Sequence, residues 1–306
     1  MSASFGAGNG AITVPDILAR KSDPLIARSS AQGSQISGSQ TKRIVCITAY
    51  DTPTARIVDE AGVDVVLVGD SLGMVVLGHD NTLSVTLDEM LHHTRAVRRG
   101  VRRALLVADM PYGSYHADGA ESVHHAIRFI KEAGAAAVKI EGGERRMDLI
   151  ARLVEAEVPV MGHVGLTPQS VHALGGFRVQ GKTVAAAEQV FRDARAVEAA
   201  GAFSIVLESI PRELAAEITR ELRIPTIGIG AGPECDGQIL VLHDLIGLGS
   251  EHTPRFARRY AHVGEIISRA VAEYGEDVRN GGFPSDEESF HLPAETRERL
   301  HTARHK

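Results

Sequence analysis

One feature constrains this chain more than any other: a rhythm of apolar runs. From Lys42 onward eight short runs recur, IVCITA (44–49), VVLVG (65–69), ALLVA (104–108), AAVKI (136–140), VPVMG (158–162), FSIVL (203–207), PTIGI (225–229) and ILVL (239–242). They are near-continuous rather than alternating, as in a parallel strand buried on both faces. Helical patterns lie between them: residues 54–61, 87–99, 121–133, 146–155, 185–200 and 212–222 carry apolar side chains at three- and four-residue spacing. Eight strands with helices between most of them predict a (β/α)8 barrel over residues 42–282. A doubly wound sheet usually has fewer strands and places a glycine-rich phosphate loop after the first one. Here the first run is followed by AYDTPTAR, and the GxGxG within TIGIGAG (226–232) falls at the seventh strand, where it reads as a close-packed strand and turn.

The flanks read differently. Residues 1–41 are expected to be a flexible N-terminal segment, since 1–10 and 29–41 are rich in Ser, Gly, Ala and Gln and offer little to bury. Within it TVPDILARK (13–21) predicts a short helix capped by Thr13, with Pro15 in its first turn and Asp16 favourable to the dipole. Residues 254–275 look helical, and 283–306 read as a polar, charged tail.

Composition narrows the function classes. A net charge of −6, 4% aromatics and no Trp argue against nucleic-acid or anionic-membrane partners. Cys46 and Cys235 lie far apart and outside any CxxC, which fits a reducing cytoplasm and provides neither a disulfide framework nor a zinc site. No run approaches the roughly 18 apolar residues of a membrane span, and no secretory signal is evident. A cytoplasmic protein is expected. The pairs His92-His93 and His124-His125 point in different directions on a helix and read as surface or packing residues. The basic stretch RRGVRR (98–103) reads as a helix C-terminus and its turn.

The strand ends carry the chemistry. In such a barrel the C-terminal strand ends face the active site. Strand two ends at Asp70-Ser71, strand three at Asp109, strand four at Lys139 and Glu141, strand five at His163 and strand six at Glu208. A single acid there is readily a helix cap; four acids with a lysine and an imidazole on one rim ask for another account. Clustered carboxylates repel one another unless a cation lies between them. Oxygen ligands without a Cys or His pair favour Mg²⁺ over Zn²⁺. Such a site suits a chelating 2-oxo acid. Lys139 and Glu141, two residues apart, share one face of their strand. The lysine is suited to hydrogen-bond an enolate oxygen or, alternatively, to form a Schiff base; Glu208 is then available for proton transfer.

Several long strings resemble the ketopantoate hydroxymethyltransferase family: ITAYD (47–51), LVGDSLGMVVLGHDNTL (67–83), VKIEGGE (138–144), GHVGLTPQSVHALGGFRVQG (162–181), VLE (206–208) and IGIGAGPECDGQILVLHD (227–244). The resemblance covers about residues 42–291. It implies a barrel of the phosphoenolpyruvate mutase/isocitrate lyase type. It also implies transfer of a hydroxymethyl group from 5,10-methylenetetrahydrofolate to 3-methyl-2-oxobutanoate through a Mg²⁺-stabilised enolate, giving 2-dehydropantoate for pantothenate and coenzyme A synthesis. By position, Asp70 and Asp109 resemble direct Mg²⁺ ligands, and Glu141 a ligand reached directly or through water. Asp70, Ser71, Asp109 and Lys139 resemble the oxo-acid site, with Lys139 and Glu208 as catalytic groups and Glu208 the proton acceptor. His163 sits at the same rim, as a structural hydrogen bond or a catalytic group. Family members are homo-oligomers, typically decamers. The Ser/Gln-rich stretch before Lys42 departs from the family pattern at the end of the barrel away from the expected site. A folate-independent, metal-dependent aldolase or lyase acting on 2-oxo acids is the alternative on the same barrel.

Overall fold

The computed structural model describes residues 10–21, 43–249 and 254–304. The expectations for residues 1–9 and for the Ser/Gln-rich stretch fall outside the described residues. The eight apolar runs form β1 (Ile44–Thr48), β2 (Val65–Val68), β3 (Leu105–Asp109), β4 (Ala137–Glu141), β5 (Val160–Gly165), β6 (Ser204–Glu208), β7 (Thr226–Ile229) and β8 (Gly237–Leu240). Each strand pairs in parallel with the next, and β8 pairs with β1, so the barrel is closed. Both faces are buried. Cys46, Leu67, Val107 and Met161 pack inside the barrel, while Ile47, Val66, Leu106 and Val138 pack outward against the helices. This double burial is why the runs show no polar alternation.

The helices Thr52–Glu60, Leu87–Gly100, Gly119–Lys131, Met147–Glu155, Val184–Ala199 and Arg212–Glu221 surround the sheet close to their predicted positions. Their starts are set by side-chain caps. Asp51 accepts from Thr54 N at 2.8 Å, Thr86 and Glu89 form a reciprocal capping box, and Asp118 accepts from Ala120 N. The basic stretch at 98–103 does close a helix and turn: Arg98 and Arg99 occupy the last helical turn. The buried Asp59 carboxylate then accepts the backbone N–H groups of Arg102, Arg103 and Ala104.

The predicted short helix forms, over Val14–Leu18, and Asp16 does more than favour the dipole: it closes a capping box, with Thr13 N donating to Asp16 Oδ2 at 2.8 Å. Its docking explains its presence. Ile17 is fully buried against the interior cluster at the N-terminal mouth of the barrel, a contact worth about 1.5–3 kcal/mol. Arg20 and Lys21 pair there with Asp64 and Asp236, at 2.8 Å and 2.9 Å. The bottom is thereby plugged, and the C-terminal end carries the open cavity.

Past β8 the structure departs from expectation. The helix predicted for 254–275 starts later, at Val263, and runs to Asn280. The Tyr260 N–H is instead committed to Leu245 O, and the Ala257 N–H to Pro254 O. None of the helix is buried, and Ile267, Val271, Tyr274 and Val278 stand exposed at four-three-four spacing. The polar tail contains a further helix, Ala294–Arg304. Among the described residues, no helix is long and apolar enough to cross a membrane.

One glycine ties β5 to the end of β6. Gly165 has φ +93°, and a Cβ there would lie 2.3 Å from the Glu208 carbonyl oxygen. Gly165→Ala is therefore expected to destabilise the fold by about 1–3 kcal/mol and to displace Glu208. A urea unfolding midpoint equal to the parent's would show that the backbone relaxes there instead.

Candidate active site

The C-terminal ends of β2 through β6 meet around one cavity of about 580 Å³. Asp70, Ser71, Asp109, Lys139, Glu141, His163 and Glu208 all line it, so every side chain singled out at the strand ends is brought together. Strand register sets the pairing. Asp109 lies level with Lys139, and Glu141 with His163; parallel alignment thus places an acid beside a base twice. Ile140, between Lys139 and Glu141, packs outward against the helices, which leaves its two neighbours facing inward.

The contacts form one buried charge network. Lys139 Nζ lies 3.0 Å from Asp109 Oδ1, 3.9 Å from Glu141 Oε1 and 3.1 Å from His163 Nδ1. His163 Nδ1 is 3.5 Å from Glu141 Oε1, and its Nε2 is 3.1 Å from Glu208 Oε2. Asp109 Oδ2 accepts the Asp70 backbone N–H at 3.1 Å, and the Ser71 hydroxyl is hydrogen-bonded to Tyr50 Oη at 2.8 Å. Asp70, Asp109, Lys139, Glu141 and His163 are each no more than 5% exposed.

Charge and burial compete at each group. Burial raises the Asp70 pKa well above the carboxylate range, and the charges of Asp109 and Glu141 push it further. Asp109 is raised for the same first reason, with Lys139 pulling it back. Burial also acts to raise Glu141, but the hydrogen bond and charge of His163, with Lys139 and the Gln169 N–H, outweigh it and hold Glu141 below its ordinary value. Burial disfavours the Lys139 ammonium, yet Asp109, Glu141 and Asp70 raise its pKa. Burial and Lys139 oppose protonation of His163, but Glu141 and Glu208 lift it to about 9. The Lys139–His163 contact is a hydrogen bond when the imidazole carries one proton, on Nε2, which lies 3.1 Å from Glu208 without an aligned hydrogen bond. It is a like-charge contact when the ring carries two.

The donor set fits a hard divalent cation. Ionisation of the buried acids Asp70 and Asp109 is opposed, and a cation between them relieves that opposition. Asp109 Oδ1 is buried and, although close to Lys139, lacks an aligned hydrogen bond. Among the described residues no three His, Cys, Asp or Glu side chains are arranged to hold a metal ion by themselves, although the four strand-end acids line this cavity. Water and substrate oxygens would complete the coordination of Mg²⁺ beside those carboxylates.

Two buried partners of the lining acids, Gln169 and Tyr115, were not singled out in the sequence. Gln169, in the turn Pro168–Ser170 after β5, donates from Nε2 to Asp70 Oδ2 at 2.8 Å and to Met110 O at 3.0 Å. Its backbone N–H donates to Glu141 Oε2 at 3.0 Å. Tyr115, in the loop after β3, donates to Gln169 Oε1 at 2.6 Å and accepts the Glu141 N–H at 3.1 Å. Neutral polar residues in irregular turns carry no periodic signal; Gln169 was only carried inside the string 162–181. In each histidine pair one ring is exposed, His92 or His124, and the other meets a backbone carbonyl: His93 Nδ1 lies 2.7 Å from Tyr50 O, and His125 Nδ1 lies 2.8 Å from Ser114 O.

Comparison with known proteins adds a family. Residues 31–286 match the ketopantoate hydroxymethyltransferase family. The 3-methyl-2-oxobutanoate hydroxymethyltransferase of Koribacter versatilis is 59% identical over 275 residues, covering 89% of this chain and 93% of the relative. The enzyme of the same name from Pelobacter propionicus is 53% identical over 279 residues, covering 91% and 97%. Among solved structures, a phosphonopyruvate hydrolase complexed with oxalate and Mg²⁺ aligns with TM-score 0.54 at 16% identity, over 86% of this chain and 92% of that one. A 2,3-dimethylmalate lyase of the phosphoenolpyruvate mutase/isocitrate lyase superfamily aligns with TM-score 0.53 at 17% identity, over 88% of each chain. At such identities these structures speak for the barrel alone.

Proposed function

This chain belongs to the ketopantoate hydroxymethyltransferase family and is a hydroxymethyltransferase, and from that premise we propose that it transfers a hydroxymethyl group from 5,10-methylenetetrahydrofolate to 3-methyl-2-oxobutanoate. The product is 2-dehydropantoate, made in the cytoplasm for pantothenate and coenzyme A synthesis. The observation that carries this reading is the convergence of Asp70, Asp109, Glu141 and Lys139, all buried, at the C-terminal mouth of the barrel.

Asp70 and Asp109, with Glu141 directly or through water, would hold Mg²⁺, which when bound supplies positive charge to stabilise an enolate oxygen. Lys139 serves the same oxygen as an N–H donor, its ammonium held in place by Asp109 at 3.0 Å. Asp70, Ser71 and Asp109 bound the pocket for the oxo acid. Glu208 takes the C3 proton as the enolate forms, with His163 Nε2 at 3.1 Å steadying its carboxylate. The C3 carbon then bonds to the methylene carbon of the folate-derived iminium. Water then attacks that methylene carbon and supplies the hydroxyl oxygen, the bond to the folate nitrogen breaks, and the nitrogen takes up a proton as tetrahydrofolate departs. The cavity extends from the acids past Met74, Phe177 and Phe256, which favours a second, larger co-substrate over the folate-independent aldolase.

Deuterium exchange at C3 of 3-methyl-2-oxobutanoate, followed by NMR with and without Mg²⁺, tests the site; exchange should require the metal and vanish in Asp70→Ala. A product assay with methylenetetrahydrofolate tests the reaction, and equal turnover of free formaldehyde without folate would replace this reading with the aldolase.

We also read the protein as a homo-oligomer, in the family a decamer, with no nucleic-acid or membrane partner. The exposed apolar face of the helix Val263–Asn280 supports a contact with a second copy. Val271→Asp combined with Tyr274→Asp is expected to lower the assembled mass in light scattering. An unchanged mass would remove this helix from the interface.

A further inference from the structure

We infer that Gln169 and Tyr115 are positioning residues that decide which oxygens of Asp70 and Glu141 face the reaction cavity. The inference rests on the reading above, in which these acids belong to the Mg²⁺ and substrate site.

The hydrogen bonds leave one arrangement. The Glu141 backbone N–H can only donate, and it donates to Tyr115 Oη at 3.1 Å. The phenolic proton must therefore point elsewhere, and Gln169 Oε1 lies 2.6 Å away. That contact identifies the oxygen end of the amide. The amino end then meets Asp70 Oδ2 at 2.8 Å and Met110 O at 3.0 Å, both acceptors. Flipping the amide would set its oxygen against these two acceptors and its amino group against the phenolic proton. Gln169 is 5% and Tyr115 2% exposed, and at such burial the lost hydrogen bonds carry the full desolvation cost of their groups.

The consequence falls on the acids. Asp70 Oδ2 is committed to Gln169, which leaves Oδ1 as its uncommitted oxygen. Glu141 Oε2 is committed to the Gln169 N–H at 3.0 Å, so its other oxygen, Oε1, is the one beside Lys139 and His163. One residue after β5 thus aims an acid just past β2 and another at the end of β4, and a tyrosine after β3 locks that residue. A buried glutamine placed merely to fill space needs no amino group directed at a carboxylate. Outer partners that orient ligating carboxylates are worth about 10- to 100-fold in metal affinity.

The test uses the full chain and Mn²⁺ alone as the probe, with affinity read by electron paramagnetic resonance and folding by thermal unfolding in chelator. Tyr115→Phe removes a single oxygen and retains the ring, which packs tilted against His116 with centroids 4.2 Å apart. Gln169→Met keeps the length and removes both polar ends. Each variant should bind Mn²⁺ about 10- to 100-fold more weakly, while unfolding in chelator near the parent temperature. The double variant should be little worse than the weaker single one, because the two act in series. Parent-like Mn²⁺ affinity in Tyr115→Phe overturns the inference alone, and that variant decides the matter if Gln169→Met does not fold. A parent protein that binds no Mn²⁺ would instead overturn the metal reading of the site and the inference with it.

Discussion

Glu208→Gln is expected to lower turnover about 10²- to 10⁴-fold while the oxo acid still binds, the range typical for loss of a positioned proton acceptor. The substitution keeps the side chain's size and one oxygen acceptor, and removes its capacity to take a proton. Its setting makes the comparison clean. Glu208 ends β6 and lines the cavity, with a side chain 15% exposed and Oε2 3.1 Å from His163 Nε2. Its carbonyl accepts the Leu166 N–H at 2.9 Å, and the next residue, Ser209, holds φ +47° with its own N–H on Ile229 O at 2.8 Å. The backbone that aims the carboxylate is therefore independent of the carboxylate. Calorimetric titration of 3-methyl-2-oxobutanoate should give a near-parent Kd in the variant, while turnover and C3 deuterium exchange fall together. Near-parent turnover would take Glu208 out of the proton transfer.

What the sequence made legible follows from what each feature depends on. The strands were legible because parallel strands buried on both faces must be apolar throughout, and their order along the chain is their order around the barrel. β3 and β4 run on past their apolar runs to Asp109 and Glu141. At the active end the inward positions are held by register-matched charges, which hydrophobicity does not mark. The start of the helix at Val263 was misplaced because 254–262 make backbone hydrogen bonds to one another and to the short helix Leu242–Ile246 after β8, contacts that local periodicity does not encode. The acids of the site were legible as polar residues ending buried strands. Gln169 and Tyr115 were not: their part lies in the direction of hydrogen bonds among three loops, and their residue types are ordinary in turns. His163, left open between two roles, stands between Glu141 and Glu208, a position that serves both acids at once.

Lys139→Met should cost about 3–5 kcal/mol of stability near neutral pH, because it removes the ammonium from a buried network and leaves acids uncompensated. Methionine approximates the lysine stem in length and volume, so packing changes little and charge changes most. Asp70 and Asp109 are already raised, by burial first and by neighbouring carboxylates, and Lys139 is a cation that opposes this. Without it both rise further. An acid whose folded-state pKa lies above its unfolded value favours folding below the unfolded pKa, and that contribution is lost as pH rises through the folded value. The variant's deficit against the parent should accordingly shrink as pH is lowered from about 8 to about 5. Millimolar Mg²⁺ should raise its unfolding temperature more than it raises the parent's, since a divalent ion among the same acids replaces the missing charge. Turnover should stay about 10²- to 10³-fold below the parent even with Mg²⁺ present, because the donor to the enolate oxygen is gone. Recovery of stability without recovery of turnover would separate the two services of Lys139, charge balance and oxygen stabilisation. Parent-like stability near pH 8 without metal would mean that the acids are neutralised by something other than this lysine.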